Sequence, residues 1–175
     1  MKKCAFLIIL SALTVCFVYA PPPAATHVVV RADQIKWGSA PPTLPAGAQM
    51  TVLSGDPSKP GLFTIRLKAP DGFKVAPHWH PTAENLTVLQ GRFGIGTGDK
   101  FDPRPENELT TGSFTMMPAK MHHFAWTRGE TVVQVSAMGP FKLIYVNPAD
   151  NPNKPPVKPA KAATEKPKPK AKTGY

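Results

Sequence analysis

Cysteine is scarce in this chain: the only two, Cys4 and Cys16, both fall within the first twenty residues. Residues 21–175 therefore carry no thiol, which excludes a disulfide framework and thiolate chemistry there while leaving an oxidising compartment tolerable. Charge is scarce too, at 18% of residues, and most of its imbalance sits at the ends. Residues 21–150 hold twelve Lys and Arg against ten Asp and Glu, whereas residues 151–175 hold seven lysines and one glutamate. The formal net charge of +10 thus describes the termini, and no nucleic-acid partner is expected for a body so nearly neutral. A sustained 3.6-residue apolar period is also missing, and the 22 prolines lie mostly outside any plausible helix interior, which disfavours a helical bundle. With 175 residues and 42% hydrophobic content, the sequence reads as one β-rich domain with short extensions.

The two ends have their own character. Lys2 and Lys3 precede an apolar run from Cys4 to Val18, with Val18 and Ala20 placed like the small residues before a cleavage site. Residues 1–20 therefore read as a secretory signal peptide, making the protein periplasmic or secreted. Pro21 would follow the cut and suits signal peptidase poorly, so an uncleaved segment tethering the protein to the inner membrane is the alternative. A lipoprotein signal through Cys16 is weaker, because Val15 stands where a small residue is expected. After Asn147 the composition turns to Pro, Lys and Ala, with almost no apolar bulk in Lys154–Lys161 or Lys166–Lys172. Such a segment cannot bury enough surface to offset its ordering entropy, so residues 147–175 are read as a disordered tail. Its cationic character suits weak contact with anionic envelope components, or plain solubilisation.

Between Val28 and Val146 lie short β-type runs separated by Gly, Pro, Asp and Asn: Val28–Val30, Gln49–Leu53, Leu62–Lys68, Asn85–Leu89, Ser113–Met117, Thr131–Met138 and Phe141–Val146. In Leu62–Lys68, Phe63, Ile65 and Leu67 alternate with Thr64, Arg66 and Lys68, the pattern of a strand with one buried face. The polar stretch Thr97–Thr111 reads either as a lid over a barrel mouth or as an ordinary exposed connection.

Four of the five histidines form two tight groups, His78 and His80 in Pro77–Pro81, and His122 beside His123. On a strand, His78 and His80 project to one face while Trp79 points away, near enough to share a metal ion. Glu84 follows beyond Pro81, where a bend would return its carboxylate over the pair. Of His122 and His123, adjacent on a strand, only one ring can face inward. Three imidazoles with one carboxylate make a mixed nitrogen and oxygen site, suited to a divalent ion of Mn, Fe, Ni, Zn or Cu with positions left open. The plainer alternative is surface histidines on a strand.

The spacing Gly72, five residues, His78, one, His80, three, Glu84, six, Gly91 resembles the first signature of the cupin superfamily at every fixed position, and Gly112, Pro118 and His123 resemble the second. Lys120 stands where that pattern has glycine and Thr127 where it has asparagine. The resemblance is to small exported bacterial single-domain cupins. It implies an antiparallel double-sheet jelly roll over residues 28–146, preceded by a lead at 21–27, with His78, His80, Glu84 and His123 as metal ligands. It selects His123 over His122. It also implies a small-molecule substrate, oxygen-dependent (dioxygenase-like) or carboxylate chemistry, and a homodimer paired through outer sheets; a non-catalytic cupin that binds or senses a ligand or metal is the alternative. A lysine, tyrosine or second carboxylate that would serve as general base beside the metal is not identifiable, so the catalytic residues stay unknown.

Of the remaining residues, Arg66 and Lys68 share a polar strand face that either is solvated or holds an anionic substrate at the mouth. Phe93, Phe114, Trp126 and Tyr145 are read as core aromatics, and His27 as an exposed bystander. The glycosylation pattern Asn85-Leu86-Thr87 falls inside an expected strand and is discounted.

Overall fold

The alternating run around Ile65 becomes strand β3 (Gly61–Ala69), which buries Phe63, Ile65 and Ala69 on one face. The computed structural model describes residues 26–154; the expected signal segment, most of the lead, and the tail from residue 155 lie outside the described residues. The other strands are β1 (Gly38–Ser39), β2 (Gln49–Ser54), β4 (Lys74–Trp79), β5 (Glu84–Thr97), β6 (Glu108–Thr110), β7 (Phe114–Met117), β8 (His123–Gly139) and β9 (Ile144–Tyr145), all paired antiparallel. Three short 3-10 turns, at Ala32–Gln34, Pro105–Asn107 and Pro148–Asp150, are the helical content of the described residues.

The two long strands β5 and β8 make the architecture. Each is continuous through a glycine that reads as a stop in the sequence. Gly91 and Gly129 have φ of +79° and +73°, and they bend the strands instead of ending them. A Cβ at Gly91 would overlap the Glu130 carbonyl, so side-chain-free backbone is required at that corner. The ladder between β5 and β8 shifts register on either side of Gln90, as expected where bulges turn a strand from one sheet into the next. The far half of β8, Thr131–Gly139, pairs with β3, whereas its near half pairs with β4. β5 runs beside both halves and carries β7 on its first half and β6 on its second. The sheet therefore curls onto itself as an antiparallel double-sheet jelly roll, the cupin β-barrel.

Its core is Phe63, Ile65, Leu86, Val88, Met117, Val133, Val135 and Ala137, all buried. Each large side chain among them contributes roughly 1.5–3 kcal/mol relative to exposure.

Several expectations need correction. Val28–Val30 forms no strand and lies exposed, because β propensity requires a neighbouring strand to pack on. Phe141–Val146 shrinks to the two residues of β9, since Pro140 lacks a backbone donor and the chain turns before pairing. Phe114 is 60% exposed, not core: on edge strand β7 it shares the outward face with Met116, while Met117 faces in. The stretch Thr97–Thr111 is neither a lid nor a bare loop. It folds back as β6 onto β5 and lays Phe101 against Phe124 at 5.1 Å between ring centroids, covering the outer surface. Arg66 and Lys68 do point outward, one donating to Gln134 Oε1 at 3.1 Å and the other seated over the Trp37 ring.

Candidate metal centre

Strand β4 ends at Trp79, and its last inward residue, His78, lies opposite both His123 of β8 and Tyr145 of β9. His80 follows just past the strand, its carbonyl accepting from the Lys120 backbone N–H at 2.8 Å. Glu84 opens β5, between Met117 and Ala137. These strand starts and ends converge on one point inside the barrel. Ring centroids of His78 and His123 lie 4.2 Å apart, with His80 at 5.0 and 5.2 Å from them. One nitrogen from each of the three rings lies within 4.8 Å of the others, and Glu84 Oε2 is 3.4 Å from His80 Nε2 and 3.6 Å from His123 Nε2. All four side chains are buried.

The tautomers follow from the backbone. The Nδ1 atoms of His78, His80 and His123 lie 2.8, 2.9 and 2.9 Å from the carbonyl oxygens of Ala76, Lys142 and Met121. A carbonyl only accepts, so each Nδ1 carries a proton and each Nε2 is the atom left to bind a metal. Three imidazole nitrogens and a carboxylate thus gather in one buried cluster. His123 Nε2 is the one buried side-chain polar atom of the described residues left without a partner, an arrangement costly for a protein to maintain for its own sake. Burial, then the neighbouring His123 and His80, lowers the His78 imidazole from 6.5 to about 3, so the ring is neutral at physiological pH. Burial alone would raise the Glu84 carboxyl, but His123 and His80 outweigh it and bring the group to about 2. Three imidazoles presenting Nε2, one carboxylate and an orphaned nitrogen fit a divalent transition-metal ion.

The structure brings together all four residues singled out in the sequence and leaves His122 apart, its Nδ1 against Asp99 on the surface. His27 is exposed. Both departures from the cupin signature have local explanations. Lys120 adopts φ +63°, the left-handed conformation that a glycine would take freely. The Thr127 hydroxyl donates to the Pro70 carbonyl at 2.6 Å and accepts from the Phe73 N–H at 3.0 Å, tying down the turn before β4.

Two features escaped sequence reasoning. Phe141 stacks on the His80 ring at 4.2 Å and 18°, which nothing local in its sequence signals. The site also opens into a cavity of about 460 Å³ whose walls include Leu44, Met50, Leu67, Phe73, Phe93 and Leu143. In its wall the Thr131 hydroxyl is committed to the carbonyls of Arg92 and Gly129; nearby, Tyr145, whose phenol burial and then Asp150 push up to about 12, donates to the carbonyl of Thr43.

A family model described as a domain of unknown function, DUF4437, matches residues 22–144. Among solved structures, the polyketide cyclase RemF from Streptomyces resistomycificus matches with a TM-score of 0.61 and 16% identity, over 73% of this chain and 90% of that one. An acetylacetone dioxygenase from Acinetobacter johnsonii matches at 0.58 and 16%, over 76% and 87%, and an RmlC-like cupin from Shewanella frigidimarina at 0.51 and 15%, over 65% and 91%. Comparison with curated proteins finds no match.

Proposed function

We propose, on the premise that this chain belongs to the DUF4437 family and to the cupin superfamily, that it is a metal-dependent enzyme transforming a small organic molecule with oxygen. His78, His80, Glu84 and His123 hold the metal. The observation that carries this reading is the set of three backbone-fixed imidazoles with one nitrogen each within 4.8 Å of the others, those of His80 and His123 beside Glu84, in the wall of an open cavity. A closed structural site would have no such opening.

When bound, a divalent ion of Mn, Fe, Ni, Zn or Cu supplies Lewis acidity and, for the redox-active members, electron transfer to oxygen. The protein's part is positional. The carbonyls of Ala76, Lys142 and Met121 hold the rings, Glu84 offsets positive charge, and the apolar walls keep bulk water from the reacting group. The Thr127 and Thr131 hydroxyls of the cavity wall are held by backbone carbonyls, and we assign proton transfer to Glu84 or to the substrate itself. This favours oxygen chemistry on an activated carbon acid or phenol over reactions that need a dedicated base.

Export through residues 1–20 belongs to the same proposal, supported by the Lys2-Lys3 start and the apolar run to Val18; cell fractionation tests it. The function is tested by loading the protein with each metal in turn and following oxygen consumption against a panel of neutral and carboxylic phenols and diketones. Metal-dependent consumption with one compound class supports the reading. Retention of metal by both His78→Ala and His123→Ala overturns the ligand assignment, and tight ligand binding without turnover under any metal would convert the site to a sensor.

A further inference from the structure

Neutral molecules and small carboxylates both suit metal-centred oxygen chemistry, and the cavity wall discriminates between them. Apart from the four site residues, its side chains are almost all hydrocarbon, and the only other charged one is Lys142, exposed at the surface. Met50, Leu67, Phe73, Phe93, Ile95 and Leu143 line this space yet are only half buried, so solvent reaches apolar side chains inside the barrel. A cavity of about 460 Å³ lies within the range of roughly 300–1,000 Å³ that holds organic ligands. A dicarboxylate long enough to reach past the four site residues would leave its second charge against hydrocarbon, with no cationic side chain inside to meet it. An apolar body would instead displace poorly satisfied water from the walls.

Resting on the reading of the site given above, we propose that the cavity takes a molecule with an uncharged apolar body, of the size of a two-ring compound, presenting one oxygen-bearing group to His78, His80, His123 and Glu84. A charge on that body is excluded, because nothing along the hydrocarbon walls would meet it. The inward side chains Leu67 and Ile95 determine how large that body can be.

The test uses the whole chain stripped of metal with a chelator, so that its outcome does not depend on metal loading. The neutral aromatic probe N-phenyl-1-naphthylamine is titrated and its fluorescence followed, with oxalate as competitor. Saturable binding is expected, weakened at least tenfold by either Leu67→Phe or Ile95→Phe, unchanged by Leu62→Ser on the outer face, and insensitive to oxalate. Circular dichroism checks that each variant is folded, and two separate filling substitutions guard against loss of one. Absence of saturable binding, equal affinity in folded filled variants, or displacement by oxalate overturns the proposal. If the probe binds as expected while the protein takes up no metal, the inference about the cavity stands and the enzymatic reading falls; if metal loads and the probe does not bind, the reverse holds.

Discussion

Residues 123–127 of strand β8 serve two environments from one stretch of backbone. Inward go His123, Ala125 and Thr127; outward go Phe124 and Trp126, and all five are buried. On the outside, the rings lie over Gly94 and Gly96, where a Cβ would overlap Trp126 and Phe124 respectively, and Phe101 closes over them. On the inside, small side chains face a cavity of about 460 Å³. The strand places its bulk on the outer surface, and the barrel is hollow because the volume went elsewhere. Stability and function are thus separated by side-chain parity on a single strand.

The hardest test of that separation is the histidine pair at its start. His123→Ala is expected to abolish metal retention, measured by elemental analysis of dialysed protein, while His122→Ala leaves a content near a single ion per chain. His122 loses only its exposed contact with Asp99. The opposite result would place the wrong face of β8 toward the centre.

Next come volume changes on the two faces. Trp126→Ala should cost about 3–5 kcal/mol in urea unfolding, since a buried ring leaves a void under Phe101. Leu67→Phe on the hollow face should cost less than about 1.5 kcal/mol, because space is already there. Equal penalties would mean that the cavity is not hollow in solution.

Acid provides a third test, whose upper part falls on the inner face. Unfolded His78 protonates near its ordinary 6.5, folded His78 only near 3, so its stabilising effect is intact above pH 6.5 and is lost as pH falls from there toward 3. Glu84, held at about 2 against an ordinary 4.5, adds a second loss between those values. The melting temperature of metal-free protein should fall through this range, and His78→Gln should flatten the upper part of the decline, by roughly 1.4 kcal/mol per pH unit at most. An unchanged profile in that variant would remove burial of the ring as the cause.

What was legible beforehand follows the same division. That His78, His80 and Glu84 would gather was readable because a strand's period of two and the spacing from Gly72 to Gly91 constrain parity, whereas His123 over His122 followed only from the resemblance. Strand lengths were not readable: Gly91 and Gly129 look like breaks locally, and only the curvature of the closed sheet shows them as bends. Phe114 misled because an aromatic on a strand is core only when its face is covered, and β7 lies at an edge. The cavity was illegible because a hollow is set by what several non-adjacent strands fail to fill.

The smallest expected effect concerns Lys120, where the chain departs from the signature glycine on the segment leading into β8. Its φ of +63° costs an L-residue roughly 1–2 kcal/mol, and its N–H holds the His80 carbonyl at 2.8 Å. Replacing it with glycine removes the strain but adds freedom to the unfolded chain, worth roughly 0.5–1 kcal/mol in the opposite direction. Lys120→Gly should therefore raise the melting temperature of the metal-free protein by no more than about 6 °C. Metal affinity should stay unchanged, because glycine retains the N–H that holds His80. Lys120→Val, which suits the left-handed region worst, should lower both quantities, since the turn can relax only by giving up that hydrogen bond. A Lys120→Gly protein with weaker metal binding would show that stiffness of this turn, and not merely its hydrogen bond, sets the position of His80.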